Sequence, residues 1–308
     1  MFERHKGVPR VRLRRKIDRP HIDDFIQRES YGNRGKRDEL MSIIEKETEF
    51  EGIPVTYFEG GEGRPLLLLH GSGPGASTFG NWRLVLDQLA QRFHVIAPDL
   101  IGFGKSGRKK TEPFFDFDLW VRQARFHLDF FPNGANVLGH SLSGAIALRT
   151  AASTDSVLKV MTTGSIGAQV VANQELGTVW SFPNTREDLV KAGKTLVYNE
   201  ALIDENYISG RAKILYVGNY KEYFESMFAG DKQKYLDAAV LSPEELASIK
   251  CDVLMLHGVN DTPTPIESSY LLAKQIGHAD VLAVARCGHS VALEHPEKLV
   301  RIASAFFS

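Results

Sequence analysis

The sequence of 308 residues is short of several things, and each shortage removes a class of protein. It holds two cysteines, Cys251 and Cys287, too few for a disulfide framework and without metal-ligand spacing. Two reduced thiols in a cytoplasmic protein are the expectation, with no metal or other cofactor. No run approaches the roughly 18 apolar residues that a membrane span needs. The N-terminus lacks the apolar core of a secretory signal, and its acids and scarce serines argue against a transit peptide. Net charge is nearly absent as well: 37 Lys and Arg against 38 Asp and Glu leave −1, which gives no electrostatic case for nucleic-acid binding. Neither an internal repeat nor a low-complexity tract is present.

What is there begins with an uneven charge. Residues 1–19 carry eight Arg or Lys against two acids. Residues 1–47 are charged, poor in aliphatic runs and broken by Pro9, Pro20, Gly32 and Gly35, so they read as a basic N-terminal arm. A helical turn or two over 39–44 is compatible with that segment. From Thr48 the pattern becomes regular. Thr48 to Phe50 and Val55 to Phe58 flank Glu51-Gly52-Ile53-Pro54 as a hairpin at a sheet edge. Leu66 to Leu69, His94 to Pro98, Asn136 to Gly139 and Val157 to Thr162 read as buried strands alternating with helices, which predicts a mostly parallel, doubly wound sheet of the α/β class. The alternation stops between 170 and 248, where helical periodicity runs without a convincing strand. That block reads as an inserted helical cap, so the core comprises 48–169 and 249–308. Strands resume at Asp252 to Leu256 and Val281 to Val284, and a helix over 297–307 closes the fold.

One stretch carries the chemistry. Asn136-Val137-Leu138-Gly139-His140-Ser141-Leu142-Ser143-Gly144 reads as a strand running into a sharp turn with a serine at its tip. It departs from the G-x-S-x-G elbow at one place, because Ser143 stands where the second glycine belongs. A serine needs a base within hydrogen-bond reach, itself oriented by a third group. Asp261 and His289 follow in that chain order, each just past the end of a strand. His289 then takes the proton of Ser141, and Asp261 fixes the imidazole tautomer. The oxyanion requires backbone donors. The N–H of Leu142 is one, and Ser72 or Gly73, in the glycine-rich loop after Leu69, supplies the other.

Three segments, His70-Gly71-Ser72-Gly73-Pro74-Gly75-Ala76, Ala97-Pro98-Asp99-Leu100-Ile101-Gly102-Phe103-Gly104-Lys105-Ser106 and Cys287-Gly288-His289, resemble the α/β-hydrolase fold. Within it the chain is similar to the meta-cleavage product hydrolases, which cut a carbon–carbon bond in dienoates from aromatic ring fission. The cap segments from Asp204 to Arg211 and from Ser226 to Asp237 most resemble 2-hydroxymuconate semialdehyde hydrolases. The resemblance spans about 50–307. It implies a cofactor-free enzyme acting on a small carboxylate-bearing substrate, with Arg211 gripping the carboxylate and Asn81 beside the same end. It also implies ketonisation of the dienol, followed by attack on the distal carbonyl through an acyl-enzyme or a gem-diol.

Three positions depart from the family pattern: His140 for asparagine, Ser290 for tryptophan and Ser143 for glycine. His140 and Ser290 are expected to border the substrate. The same triad also suits a serine esterase or lactonase, and a ligand receptor without turnover is a third reading. A homodimer or higher homo-oligomer is compatible with the sequence.

Overall fold

The computed structural model describes residues 12–13 and 43–308. One sheet is built from β1 (Arg12–Leu13), β2 (Ile44–Phe50), β3 (Ile53–Gly60), β4 (Arg64–Leu69), β5 (Phe93–Pro98), β6 (Ala135–His140), β7 (Val157–Thr163), β8 (Asp252–Gly258) and β9 (Ala279–Val284). Their spatial order is β1-β2-β3-β5-β4-β6-β7-β8-β9. The pairs from β1 to β5 are antiparallel, and every pair from β5 to β9 is parallel.

Hydrophobic pattern explains the centre of this sheet. Leu66, Leu67, Leu68 and Leu69 of β4 are all fully buried, as a parallel strand covered on both faces requires. Leu67 and Leu69 join one core cluster, with Trp120, Ala124 and Ile146 of the helices Phe117–Leu128 and Leu142–Ser153. Leu66 and Leu68 join the other, with Trp82, Leu86, Leu89, Leu299 and Ala303 of Thr78–Trp82, Leu86–Ala90 and Pro296–Phe306. The chain winds from β4 to β5 on one side and then crosses to β6 on the other. The carboxyl ends of β4 and β6 therefore flank the switch point, where open α/β sheets leave a crevice.

Between β7 and β8 the described chain is helical: Gln174–Val179, Arg186–Thr195, a short 3-10 turn at Glu200–Leu202, Glu205–Leu215, Tyr220–Met227, Gln233–Ala239 and Pro243–Ser248. Its apolar side chains, among them Trp180, Leu189, Ile208 and Phe224, belong to the same cluster as one face of the sheet. The cap is thus welded to the core by a continuous apolar layer.

Several expected boundaries move. Strand β2 starts at Ile44, inside the segment read as the arm, and β1 pairs outside it, so the hairpin is not the sheet edge. The expected helical turn over 39–44 lies outside the described residues except at its end, where Ile44 is strand. Apart from β1 and residues 43–47, the rest of the arm also lies outside them. The hairpin turn shrinks to Glu51-Gly52, because Ile53 and Pro54 already pair with Phe50 and Glu49.

The turn after β6 sets the tightest constraint. A β-carbon added at Gly139 would sit 2.1 Å from the Ser143 carbonyl oxygen, and one at Gly144 would sit 2.2 Å from Ser165 Oγ. Strand and helix approach too closely there for any side chain. Gly139→Ala is expected to destabilise the fold by about 1–3 kcal/mol in a urea titration, the usual cost of overpacking against backbone; wild-type stability would show that the turn can relax.

Candidate active site

Ser141 occupies the turn between β6 and the helix Leu142–Ser153 with φ 57° and ψ −121°, a conformation that L side chains rarely adopt. Its N–H donates to Thr163 O on β7 at 2.9 Å, and its carbonyl accepts from Gly144 N–H at 2.9 Å. These contacts hold the strained backbone in place. Ser143 has a definite use: its side chain is fully buried and its hydroxyl donates to the His70 carbonyl. The close-packing glycine of the elbow is Gly144, one place later than the usual pattern.

Asp261 follows β8 and His289 follows β9, and the structure brings the two together. His289 Nδ1 donates to Asp261 Oδ2 at 2.7 Å, and both residues are buried. The imidazole ring of His289 lies 4.7 Å from that of His140, the residue preceding Ser141, so it is seated against the elbow. Asp261 has further donors. Thr264 N–H reaches Oδ1 at 2.9 Å, and His257 Nε2, also bound to Thr264 O at 2.7 Å, lies 3.1 Å from Oδ2. Burial alone would raise the carboxyl pKa. The charge of His289 and the hydrogen bonds from His257 and His289 outweigh that and bring it down to about 2.

The loop after β4 runs beside the serine, for a β-carbon on Gly71 would lie 3.2 Å from Ser141 Cβ. Its backbone is clamped from several directions. Gly71 N–H donates to Asn81 Oδ1 at 3.3 Å, and Gly71 O accepts from His70 Nδ1 at 2.7 Å. The other ring nitrogen of His70 accepts from Leu100 N–H at 2.9 Å. Burial lowers the His70 pKa, so the ring stays neutral in this one tautomer. Ser72 Oγ accepts the indole N–H of Trp180 from the cap at 2.9 Å. Leu142, the residue after the serine, opens its helix, where the first N–H groups have no intrahelical acceptor.

Arg211, on the cap helix Glu205–Leu215, is only 8% exposed. One guanidinium nitrogen donates to the Pro74 carbonyl, and the group stacks 4.9 Å over the Tyr207 ring. Its Nε is buried without a hydrogen-bond partner, and among the described residues no carboxylate pairs with it. Arg211, Asn81, His140 and Ser290 line one small pocket with Tyr207 and Leu293, so all four expected substrate contacts converge. That pocket has a free volume of about 10 Å³, barely room for one water. His140 Nδ1 lies 3.1 Å from Thr163 O, an acceptor only, so it carries the proton and Nε2 keeps a lone pair. Burial, then the charge of His289, keeps this ring's pKa well below the usual value.

Sequence reasoning missed His70, His257, Trp180 and Tyr207. His70 and His257 stand at strand ends, and Tyr207 stands one helical turn before Arg211, the signals available; Trp180 carries none, since its partner Ser72 lies across the cap interface. Among the described residues no cluster of three or more His, Cys, Asp or Glu is placed to hold a metal ion, and no helix is long and apolar enough to cross a membrane.

Comparison with known proteins agrees with this geometry. Residues 66–302 match the model of the alpha/beta hydrolase family. The 2-hydroxy-6-oxo-2,4-heptadienoate hydrolase of Pseudomonas putida is 29% identical over 259 residues, covering 83% of this chain and 94% of its own. A 2-hydroxymuconate semialdehyde hydrolase from a Pseudomonas species is 28% identical over 267 residues, covering 86% and 94%. A crystal structure of a meta-cleavage product hydrolase variant superposes with a TM-score of 0.79 at 30% identity, over 83% of this chain and 95% of that one. The 2-hydroxy-6-oxo-6-phenylhexa-2,4-dienoate hydrolase of a Rhodococcus species gives 0.79 at 28% identity, over 87% and 99%. Sheet topology, the order of Ser141, Asp261 and His289, and these likenesses all point to a hydrolase built on an α/β sheet. The chain belongs to the alpha/beta hydrolase family, on its meta-cleavage product branch.

The buried carboxylate generates a pH test. A carboxyl group whose folded pKa is below its unfolded value of 3.8 adds stability that is complete above pH 4 and fades as pH falls towards 2. Asp261→Asn is therefore expected to lose about 2 kcal/mol at neutral pH. The gap to wild type should close between about pH 4 and pH 2 in urea titrations, and a gap constant with pH would contradict the ionised carboxylate.

Proposed function

We propose that the protein hydrolyses the carbon–carbon bond between C5 and C6 of a 2-hydroxy-6-oxo-dienoate, a product of aromatic ring fission. The observation that carries this reading is Arg211. A buried guanidinium without a carboxylate partner is costly unless a ligand neutralises it. Its fork pairs a carboxylate bidentately, and here it faces the pocket beside the serine. The substrate carboxylate sits on Arg211, with the adjacent enol or keto oxygen beside Asn81 and His140 Nε2.

Once the dienol is ketonised, the C6 carbonyl is attacked by Ser141 or by a water that His289 deprotonates. Nδ1 of His289 holds its proton on Asp261, which leaves Nε2 as the base and stabilises the imidazolium that forms. The oxyanion is received by the N–H of Leu142 and that of Ser72 or Gly73. Collapse returns the oxygen electrons to the carbonyl and breaks C5–C6. The released pair is delocalised over the vinylogous keto acid on to the C2 oxygen, which takes the proton from His289, C5 having gained its second hydrogen at ketonisation. On the serine route C6 remains an ester of Ser141 until a water deprotonated by His289 releases it; by either route water adds across the bond, so C6 leaves as a carboxylic acid and C1 to C5 leave as 2-hydroxypenta-2,4-dienoate. The cap, residues 170–248, covers this chemistry. The two free cysteines suit a reducing cytoplasm.

Arg211→Ala tests the reading. It is expected to cut kcat/KM on a dienoate about 100-fold or more, since a charge-assisted bidentate contact is worth about 3 kcal/mol. Hydrolysis of p-nitrophenyl acetate, which has no carboxylate, should hold within about twofold. Equal losses on both substrates would reduce Arg211 to a structural residue.

A further inference from the structure

A second cavity of about 140 Å³ opens beside the first. It lies between the helix Thr78–Trp82 with the residues that follow it and the cap helix Glu205–Leu215. Gly80, Tyr207 and Arg211 belong to both cavities, so Arg211 and Tyr207 form the partition between them. The outer cavity has two charged side chains in its lining, Arg83 and Arg211, and no acidic one. Arg83 reaches solvent and forms no ion pair with any described residue. Burial and then the charge of Arg211 lower its pKa, while Asp204 acts the other way. Asp204 is committed elsewhere, its Oδ1 capping the cap helix through Tyr207 N–H at 2.9 Å.

The inner pocket has barely room for a water, so a dienoate cannot reach Ser141 without a route past the cap. We infer that the outer cleft is the access channel for the anionic substrate, and that Arg83 captures its carboxylate before passing it to Arg211. This rests on the proposed carboxylate-bearing substrate. A cleft lined by one sign of charge raises the local concentration of an opposite ion and speeds its capture. Arg211, more than nine-tenths buried and with its Nε unpartnered, provides the stronger final site. Transfer from an exposed cation to a desolvated one then runs inward. Gly210 supports the assignment from the opposite wall. A β-carbon there meets nothing within 4 Å, so a larger side chain at this helical position would project into the cleft without disturbing the packing.

The test uses Ser141→Ala protein, which binds without turning over, and 2-hydroxymuconate semialdehyde, whose yellow dienolate reports binding by its absorbance. Adding Arg83→Gln is expected to lower the association rate constant about tenfold at low salt, with the difference nearly gone in about 0.5 M salt. Gly210→Leu should slow association at both salt concentrations, with unfolding midpoints unchanged or raised. In otherwise wild-type protein, Arg83→Gln should lower kcat/KM and leave kcat intact. If the dienolate binds with this Arg83 dependence but is not cleaved, the channel stands and the proposed reaction falls. Binding that ignores both substitutions, or no binding at all, overturns the channel.

Discussion

The structure depends on one strained residue, Ser141, being held at a positive φ between a strand and a helix that nearly touch. Two glycines make that approach possible, and Thr163 and Gly144 tie the serine's own backbone down. The strain, of order 1–3 kcal/mol, is offset by the burial of the surrounding sheet. Its effect is geometric. The hydroxyl stands at the switch point of the sheet, where the loops after β4, β8 and β9 can all reach it. The loop after β4 is fixed to the elbow by the Ser143 hydroxyl and to the β5 side by His70. The backbone of that loop is therefore held in place beside the elbow, and the proposed oxyanion donors would need such preorganisation.

Charge is distributed with the same economy. Asp261 is buried and ionised because two imidazoles and a backbone N–H face it, whereas among the described residues no carboxylate pairs with the buried Arg211. The first is a carboxylate whose hydrogen-bond donors are all in place. The second is a guanidinium whose Nε has no hydrogen-bond partner, which is why the proposed function gives it the substrate carboxylate. His140 lies between them as a neutral ring. Its Nε2 leaves an acceptor in the pocket that Ser290 also lines.

Much of this was legible in the chain, for reasons of periodicity and order. Buried strands announced themselves by runs such as Leu66 to Leu69, and the cap by the loss of strand signals. Asp261 and His289 were legible because each sits just past a strand and in the order that the fold demands. Ser143 was not, since its partner is a carbonyl 73 residues away. The second imidazole on Asp261 was hidden for a similar reason: His257 looks like an ordinary strand-end residue until the turn after β8 folds back on it. The burial of Arg211 is also invisible locally, because helix Glu205–Leu215 reads as a solvated surface until the cap closes on Pro74. Strand β2 escaped its boundary because its charged, alternating residues imitate the arm that precedes it.

The most direct measurement is product analysis in oxygen-18 water with a dienoate carrying a small C6 substituent. The account predicts two products, 2-hydroxypenta-2,4-dienoate without label and a C6-derived carboxylic acid that contains the heavy oxygen, and neither in Ser141→Ala protein. An intact dienoate alongside brisk hydrolysis of simple esters, or equal cleavage by Ser141→Ala, would contradict it.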